Sequence, residues 1–152
     1  MKLYVKPRAF SWFDNYKIFN EDGEAVYSIK GELSWGHCLK MYDMEDKEVC
    51  VIRENRDALL PKFEMYVDGN YIGSINKEGD VDKNAYSIDY NGWRVEGDLM
   101  EVEYRIYNGL GYQVAIMSKE VLNQKDTYRI KITNPEDELL ILMITVAIDA
   151  EK

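Results

Sequence analysis

Ten consecutive residues near the C-terminus, 139–148, read LLILMITVAI and present apolar side chains in almost every direction. A short helix that is greasy on all faces cannot lie on a protein surface, so the rest of the chain must enclose it. The start signals are those of a helix. Asn134 can serve as N-cap, Pro135 suits the first helical position, and Glu136, Asp137 and Glu138 fill the first turn, where the helix dipole favours negative charge. Five β-branched residues, Ile141, Ile144, Thr145, Val146 and Ile148, oppose this by a few tenths of a kcal/mol each. Length outweighs them, because the run is longer than the usual strand of about five to six residues. It is too short for a membrane span, which needs roughly 18 or more apolar residues. Burying it on all sides contributes on the order of 15 to 20 kcal/mol as an upper bound. That exceeds a typical net stability of about 5 to 15 kcal/mol, so the domain is expected to condense around this helix.

A chain of 152 residues fits one ordinary domain, residues 1–152, with no Gly/Ser- or Pro-rich linker to divide it. Acids outnumber bases 28 to 19, and the resulting net charge of -9 argues against nucleic-acid binding, which needs a concentrated basic face. Two cysteines, Cys38 and Cys50, are too few for a disulfide framework, and residues 1–12 lack a charged, greasy, small-residue leader. A reduced, cytoplasmic setting without a transmembrane segment is expected.

From Leu3 to Ile132 the pattern is short alternating segments rich in Tyr, Val and Ile, separated by turn signals such as Asp22-Gly23, Asp68-Gly69, Asn91-Gly92 and Asn108-Gly109. Five segments beginning at Tyr16, Leu39, Phe63, Tyr86 and Tyr104 each read strand, turn, strand, and a final strand, TYRIKI, leads into the helix. Roughly a dozen strands at this even spacing suit an antiparallel sheet, sandwich or barrel, and the helix selects among them. A barrel of about eight strands is filled by its own side chains, whereas one of about twelve can hold a helix along its axis. The fold expected is mostly β: a closed antiparallel barrel of about twelve strands around a central hydrophobic C-terminal α-helix. Gly31, Gly73 and Gly97, inside good strand patterns, suit bends or places where the wall approaches the helix. Alternation puts Tyr128, Ile130 and Ile132 on one face and Arg129 and Lys131 on the other.

The segments KLYVK at Lys2, SWFDNYKIFNEDG at Ser11, KGELSWG at Lys30, LPKFEMY at Leu60, NGWRVEGD at Asn91 and DTYRIKITNPEDELLILMITVAID from Asp126 span nearly the whole chain. In these the sequence resembles bacterial members of the LURP-one-related family, whose fold is similar to the Tubby C-terminal domain. The resemblance implies a twelve-stranded barrel around a hydrophobic C-terminal helix. It also brings in relatives linked to plant defence, to phosphoinositide-binding adaptors and, distantly, to phospholipid scramblases, but it supplies no catalytic motif. The chain departs from similar bacterial sequences between Ser118 and Thr127, where Val121, Leu122, Asn123, Gln124 and Lys125 replace tryptophans and a glycine.

Candidate sites are sparse. The single histidine, His37, adjoins Cys38, but neighbours on a strand point to opposite faces, which opposes a nucleophilic pair. Hydrolase, kinase and dinucleotide signatures are absent, and NGLGYQV lacks the third glycine of a phosphate loop. Asp80, Asp82 and Asn84 copy the first, third and fifth positions of a calcium loop, but Ala85 stands where the sharp turn wants Gly and Asn91 where Glu should close the cage. This leaves a weak calcium candidate, and no metal or cofactor is expected. Lys6 with Arg8, and Arg129 with Lys131, each place two positive groups on one strand face, where they could grip a phospholipid headgroup. The bland alternative is a solvated outer face.

Most of the tyrosines and tryptophans are expected to wall off the helix, and any cluster facing outward would mark a contact surface. With the lumen filled, function moves to the outer wall, the barrel mouths and the hairpin tips. The expectation is a monomeric, non-enzymatic interaction or scaffold domain recognising a protein or a phospholipid headgroup. The alternative is a membrane-surface lipid-handling protein, scramblase-like, or an enzyme of unknown chemistry.

Overall fold

A computed structural model describes residues 1–6, 16–34, 36–79, 84–98, 102–122 and 125–151. Twelve strands, β1 (Lys2–Lys6), β2 (Tyr16–Phe19), β3 (Ala25–Ser34), β4 (Gly36–Asp43), β5 (Glu48–Glu54), β6 (Lys62–Val67), β7 (Asn70–Lys77), β8 (Ala85–Asp89), β9 (Arg94–Gly97), β10 (Glu103–Tyr107), β11 (Gln113–Leu122) and β12 (Lys125–Ile132), precede the helix α1 (Glu138–Glu151). Each strand pairs antiparallel with its neighbour in sequence, and β1 pairs with β12 to close the barrel, Leu3 lying opposite Ile130. Closure removes the free edges on which an open sheet of this size would aggregate.

Because side chains alternate across a strand, every strand has one face toward the lumen. Leu3 and Val5 of β1, Phe63 and Met65 of β6, Tyr104 and Ile106 of β10, and Tyr128, Ile130 and Ile132 of β12 join one buried cluster with α1. Eight consecutive residues of α1, 141–148, are buried, and the seven apolar ones among them are 0 % exposed. Two full turns without a solvent-facing side place α1 along the barrel axis. Asn134 caps the entry as expected, its Oδ1 accepting the Glu136 N–H at 3.1 Å, and the first turn, Pro135–Asp137, is a 3₁₀ turn. The lone polar side chain on the buried stretch, Thr145, is satisfied within the helix by donating to the Ile141 carbonyl at 2.8 Å.

The two barrel ends differ. Where α1 begins, strands reverse through tight turns in which one side chain holds two backbone N–H groups. Asn20 Oδ1 accepts from Asp22 and Glu24, Asp43 Oδ1 from Glu45 and Lys47, and Asn108 Oδ1 from Leu110 and Tyr112, all at 2.9–3.0 Å. Where α1 ends, the connections range from residue 35 between β3 and β4 to the longer loop of residues 55–61 between β5 and β6. We refer to these as the turn end and the mouth.

Gly73 and Gly97 do mark close approaches, but from neighbouring strands and not from the helix. A Cβ at Gly73 would lie 2.5 Å from the Asp89 carbonyl oxygen, and one at Gly97 would lie 2.6 Å from the Tyr104 ring. Gly31 sits in β3 opposite Leu39.

Cys38 and Cys50 are free and buried. Burial, with the Glu48 carboxylate adding to it, pushes the Cys50 thiol up to about 12, so thiolate is scarce at neutral pH. Both cysteines are therefore expected to resist a thiol reagent in native buffer and to react fully in denaturant, with no mass change on reduction. Rapid native labelling of either would contradict the packing.

Candidate functional site

The outer wall over β12, β1 and β2 is built from the faces that α1 does not use. Lys2 and Tyr4 of β1, Lys17 and Phe19 of β2, and Arg129 and Lys131 of β12 alternate with the lumen-facing residues of the same strands. The register sets Lys2 against Lys131, Tyr4 between Arg129 and Phe19, and Lys17 against Lys6. Among the residues of these three strands whose side chains are described, none is acidic. A strip of positive charge thus runs along the barrel seam of a chain whose net charge is -9.

Of the four basic residues expected to act together, Arg129 and Lys131 lie on this strip, and Lys6 extends it at the level of the backbone register. Arg8 lies outside the described residues. Lys2 and Lys17 escaped notice in the sequence because each owes its place to a strand partner far along the chain, and strand pairing is not written in local spacing.

Of the calcium candidate, Asp80 and Asp82 lie outside the described residues. Asn84 is occupied as a tether, its Nδ2 donating to the Asp98 carbonyl at 3.1 Å and its own carbonyl accepting from Gly97 N–H at 2.7 Å. No group of three potential metal ligands forms among the described residues. The segment that departs from similar sequences pairs regularly, Val121 with Asp126 and Leu122 with Lys125, around Asn123 and Gln124, which lie outside the described residues.

At the mouth, His37 shares the inward parity of Leu39 and Met41, while Cys38 has the opposite parity, so the two do not form a nucleophilic pair. His37 Nδ1 instead lies 2.7 Å from Glu54 Oε2 on β5. Beside them, Glu151 at the end of α1 is held by Lys77 Nζ at 2.9 Å and by the Tyr86 hydroxyl, which donates to it at 2.9 Å. Tyr16, buried at this end, has its phenol pushed well above the ordinary range, first by burial and then by the charge of Asp149 and by Tyr128. These groups form a polar collar around the helix terminus. Glu151 is 16 % exposed, so Glu151→Ala is expected to cost about 1 kcal/mol by releasing both contacts, as read from urea melts.

At the turn end, Tyr71, Tyr90, Leu110 and Tyr112 stand exposed on three successive hairpins. Trp93 is buried in the core, whereas Trp12 and Trp35 lie outside the described residues.

No helix among the described residues is long and apolar enough to cross a membrane. The family model described as LURP-one-related matches residues 1–149. The chain is 27 % identical over 150 residues to the uncharacterized protein YxjI of Bacillus subtilis (strain 168), covering 98 % of this chain and 92 % of that one. The fold matches the X-ray structure of an Arabidopsis thaliana protein with a TM-score of 0.69 at 14 % identity, covering 99 % of this chain and 91 % of that one.

Proposed function

Because the chain belongs to the LURP-one-related family and fills its barrel with its own helix, we propose that it is a non-enzymatic recognition domain acting from its outer surface. The observation that supports this most directly is the burial of residues 141–148 on every side. Along residues 141–148 the helix itself occupies the lumen, and a ligand or a reaction shielded from water would have to displace it there. Recognition then falls to the wall and the ends.

The seam strip is the surface best suited to an anionic group such as a phospholipid headgroup. Lys2, Lys17, Arg129 and Lys131 act together there, Arg129 able to grip a phosphate with two parallel N–H bonds. The overall negative charge opposes approach at long range. At physiological ionic strength, however, charges beyond about 8 Å are largely screened, so the local strip governs contact. The exposed Tyr71, Tyr90, Leu110 and Tyr112 favour a protein as the other kind of partner, since rigid loops carrying aromatic side chains lose little entropy on binding.

Vesicle sedimentation separates these. Binding to vesicles containing phosphatidylserine, absent with phosphatidylcholine alone, weakened by salt and lost in an Arg129→Glu/Lys131→Glu variant, is the expected result for headgroup recognition. No binding to any vesicle removes the headgroup and leaves the tyrosine-bearing tips. A purified domain that in addition retains no protein from a lysate would defeat the recognition reading as a whole.

A further inference from the structure

At the turn end, where β1 and β11 begin and β12 stops, a cavity of about 300 Å³ opens on the rim, at the lower limit of small-molecule sites. Main-chain bonds fasten its walls: Ile132 N–H donates to the Met1 carbonyl at 2.9 Å, and Thr133 N–H to the Val114 carbonyl at 3.0 Å. Lys2 and Lys131, directly opposite each other in the pairing of β1 with β12, both line it. Gln113 and Thr133 add an amide and a hydroxyl, and Ile116 an apolar wall. Among the described residues that line it, none is acidic.

Like charges set directly opposite on neighbouring strands repel. Elsewhere the chain pairs its cations: Lys40 lies 3.3 Å from Glu32, Lys77 2.9 Å from Glu151, Arg94 3.5 Å from Glu96 and Arg105 3.1 Å from Glu103. Neither Lys2 nor Lys131 has an ion-pair partner among the described residues. In a chain with 28 acids to 19 bases, two lysines facing each other over a hollow without a carboxylate leave positive charge that an outside anion is placed to compensate.

We infer that this rim cavity binds a phosphate monoester, its terminal oxygens held by the Lys2 and Lys131 ammonium groups and by the Gln113 and Thr133 donors. The inference rests on the reading of the seam as an anion-recognising surface, and narrows it to one chemical group and one end of the strip. A phosphate monoester carries a charge of about -1.5 to -2 at neutral pH and three acceptor oxygens, which match two ammonium groups and two neutral donors. A phosphodiester or a carboxylate brings a single charge and two oxygens. The same group ends a soluble ester such as glycerol 3-phosphate and the lipid phosphatidic acid.

The test is titration of the isotope-labelled chain with glycerol 3-phosphate, dimethyl phosphate and acetate, followed by NMR. With glycerol 3-phosphate, the expected result is saturable shifts centred on Lys2, Gln113, Ile116, Lys131 and Thr133, with a dissociation constant of about 1 mM or tighter. Dimethyl phosphate and acetate are expected to bind at least about tenfold more weakly. Lys131→Gln, an exposed change that leaves folding intact, is expected to weaken the monoester about tenfold, whereas Lys47→Gln, which removes the same charge from the turn between β4 and β5, leaves affinity within about twofold. Vesicles of phosphatidic acid and of phosphatidylserine at matched surface potential identify the source. Tighter binding to phosphatidic acid supports the inference with a lipid as ligand, and binding of glycerol 3-phosphate without binding to either vesicle supports it with a soluble ester, while removing the headgroup. No saturable shift with glycerol 3-phosphate, equal affinity for dimethyl phosphate, or unchanged affinity in Lys131→Gln would each overturn the inference, and phosphatidylserine binding in that case would still support the strip as a headgroup surface.

Discussion

A chain cut after Asp137 is expected to stay unfolded, showing neither the dispersed amide spectrum nor the cooperative melt of the intact protein. The reason lies in what the strands face. The buried cluster inside the barrel draws apolar residues from strand after strand, and the side chains of residues 141–148 are what they pack against. Without α1 the wall would surround a void wider than its own side chains can fill, and dry voids of that size are not tolerated. A single substitution tests the same point. Ile144→Asp places a charge where exposure is 0 %, and the cost is expected to exceed about 4 kcal/mol, enough to unfold a marginally stable domain. Ile144→Val, which only shaves a methyl group, is expected to cost about 1 kcal/mol in a urea melt. A folded truncated chain would mean that the barrel stands without its helix.

Gly73→Ala is expected to be the most damaging single-methyl change in the wall. Gly73 has a φ of +152°, a conformation that side chains rarely adopt, and an added Cβ would lie 2.5 Å from both the Asp89 carbonyl oxygen and the Tyr90 Cβ. The Asp89 carbonyl cannot swing away, because Asp89 pairs with Ser74 across β7 and β8, and the Tyr90 Cβ belongs to the very next residue. Strain and overpacking together are expected to cost about 2–4 kcal/mol, seen as a fall in the urea midpoint at unchanged slope. Gly23→Ala is the comparison: it also has positive φ, +79°, but its Cβ would meet nothing within 4 Å, so about 1 kcal/mol is expected. Equal losses at the two sites would show that backbone conformation alone matters and that the contact with Tyr90 does not.

The architecture was legible because two independent periodicities agreed. The run from Leu139 is apolar at every step, which suits an enclosed helix, and the strand alternation around Tyr128, Ile130 and Ile132 supplies the enclosure. The turns were legible for a partly different reason than expected. Asp22-Gly23 and Asn108-Gly109 do mark reversals, but the side chains that organise them are Asn20 and Asn108, and the turn at Asp43 does without glycine, with Asp46 at a φ of 63°. The mouth was invisible. His37, Glu54 and Glu151 approach one another only because β4 pairs with β5 and the helix returns through the barrel, and no spacing in the sequence encodes that meeting. The seam strip was half visible, since Arg129 and Lys131 share a strand face whereas Lys2 and Lys17 join them across the sheet.

The pairing of β1 with β12 sets a condition on biosynthesis. As the polypeptide emerges from the ribosome, its first strand has no permanent neighbour on one side until almost everything else has been translated, and the plug follows later still. The nascent product must therefore spend most of its synthesis as an open, greasy ribbon, the kind of intermediate that chaperones hold. A circular permutant that links the end of α1 back to the start of β1 by a linker as long as the barrel, and opens the tight turn at Asp68-Gly69, would relocate that vulnerable interval without altering the finished barrel.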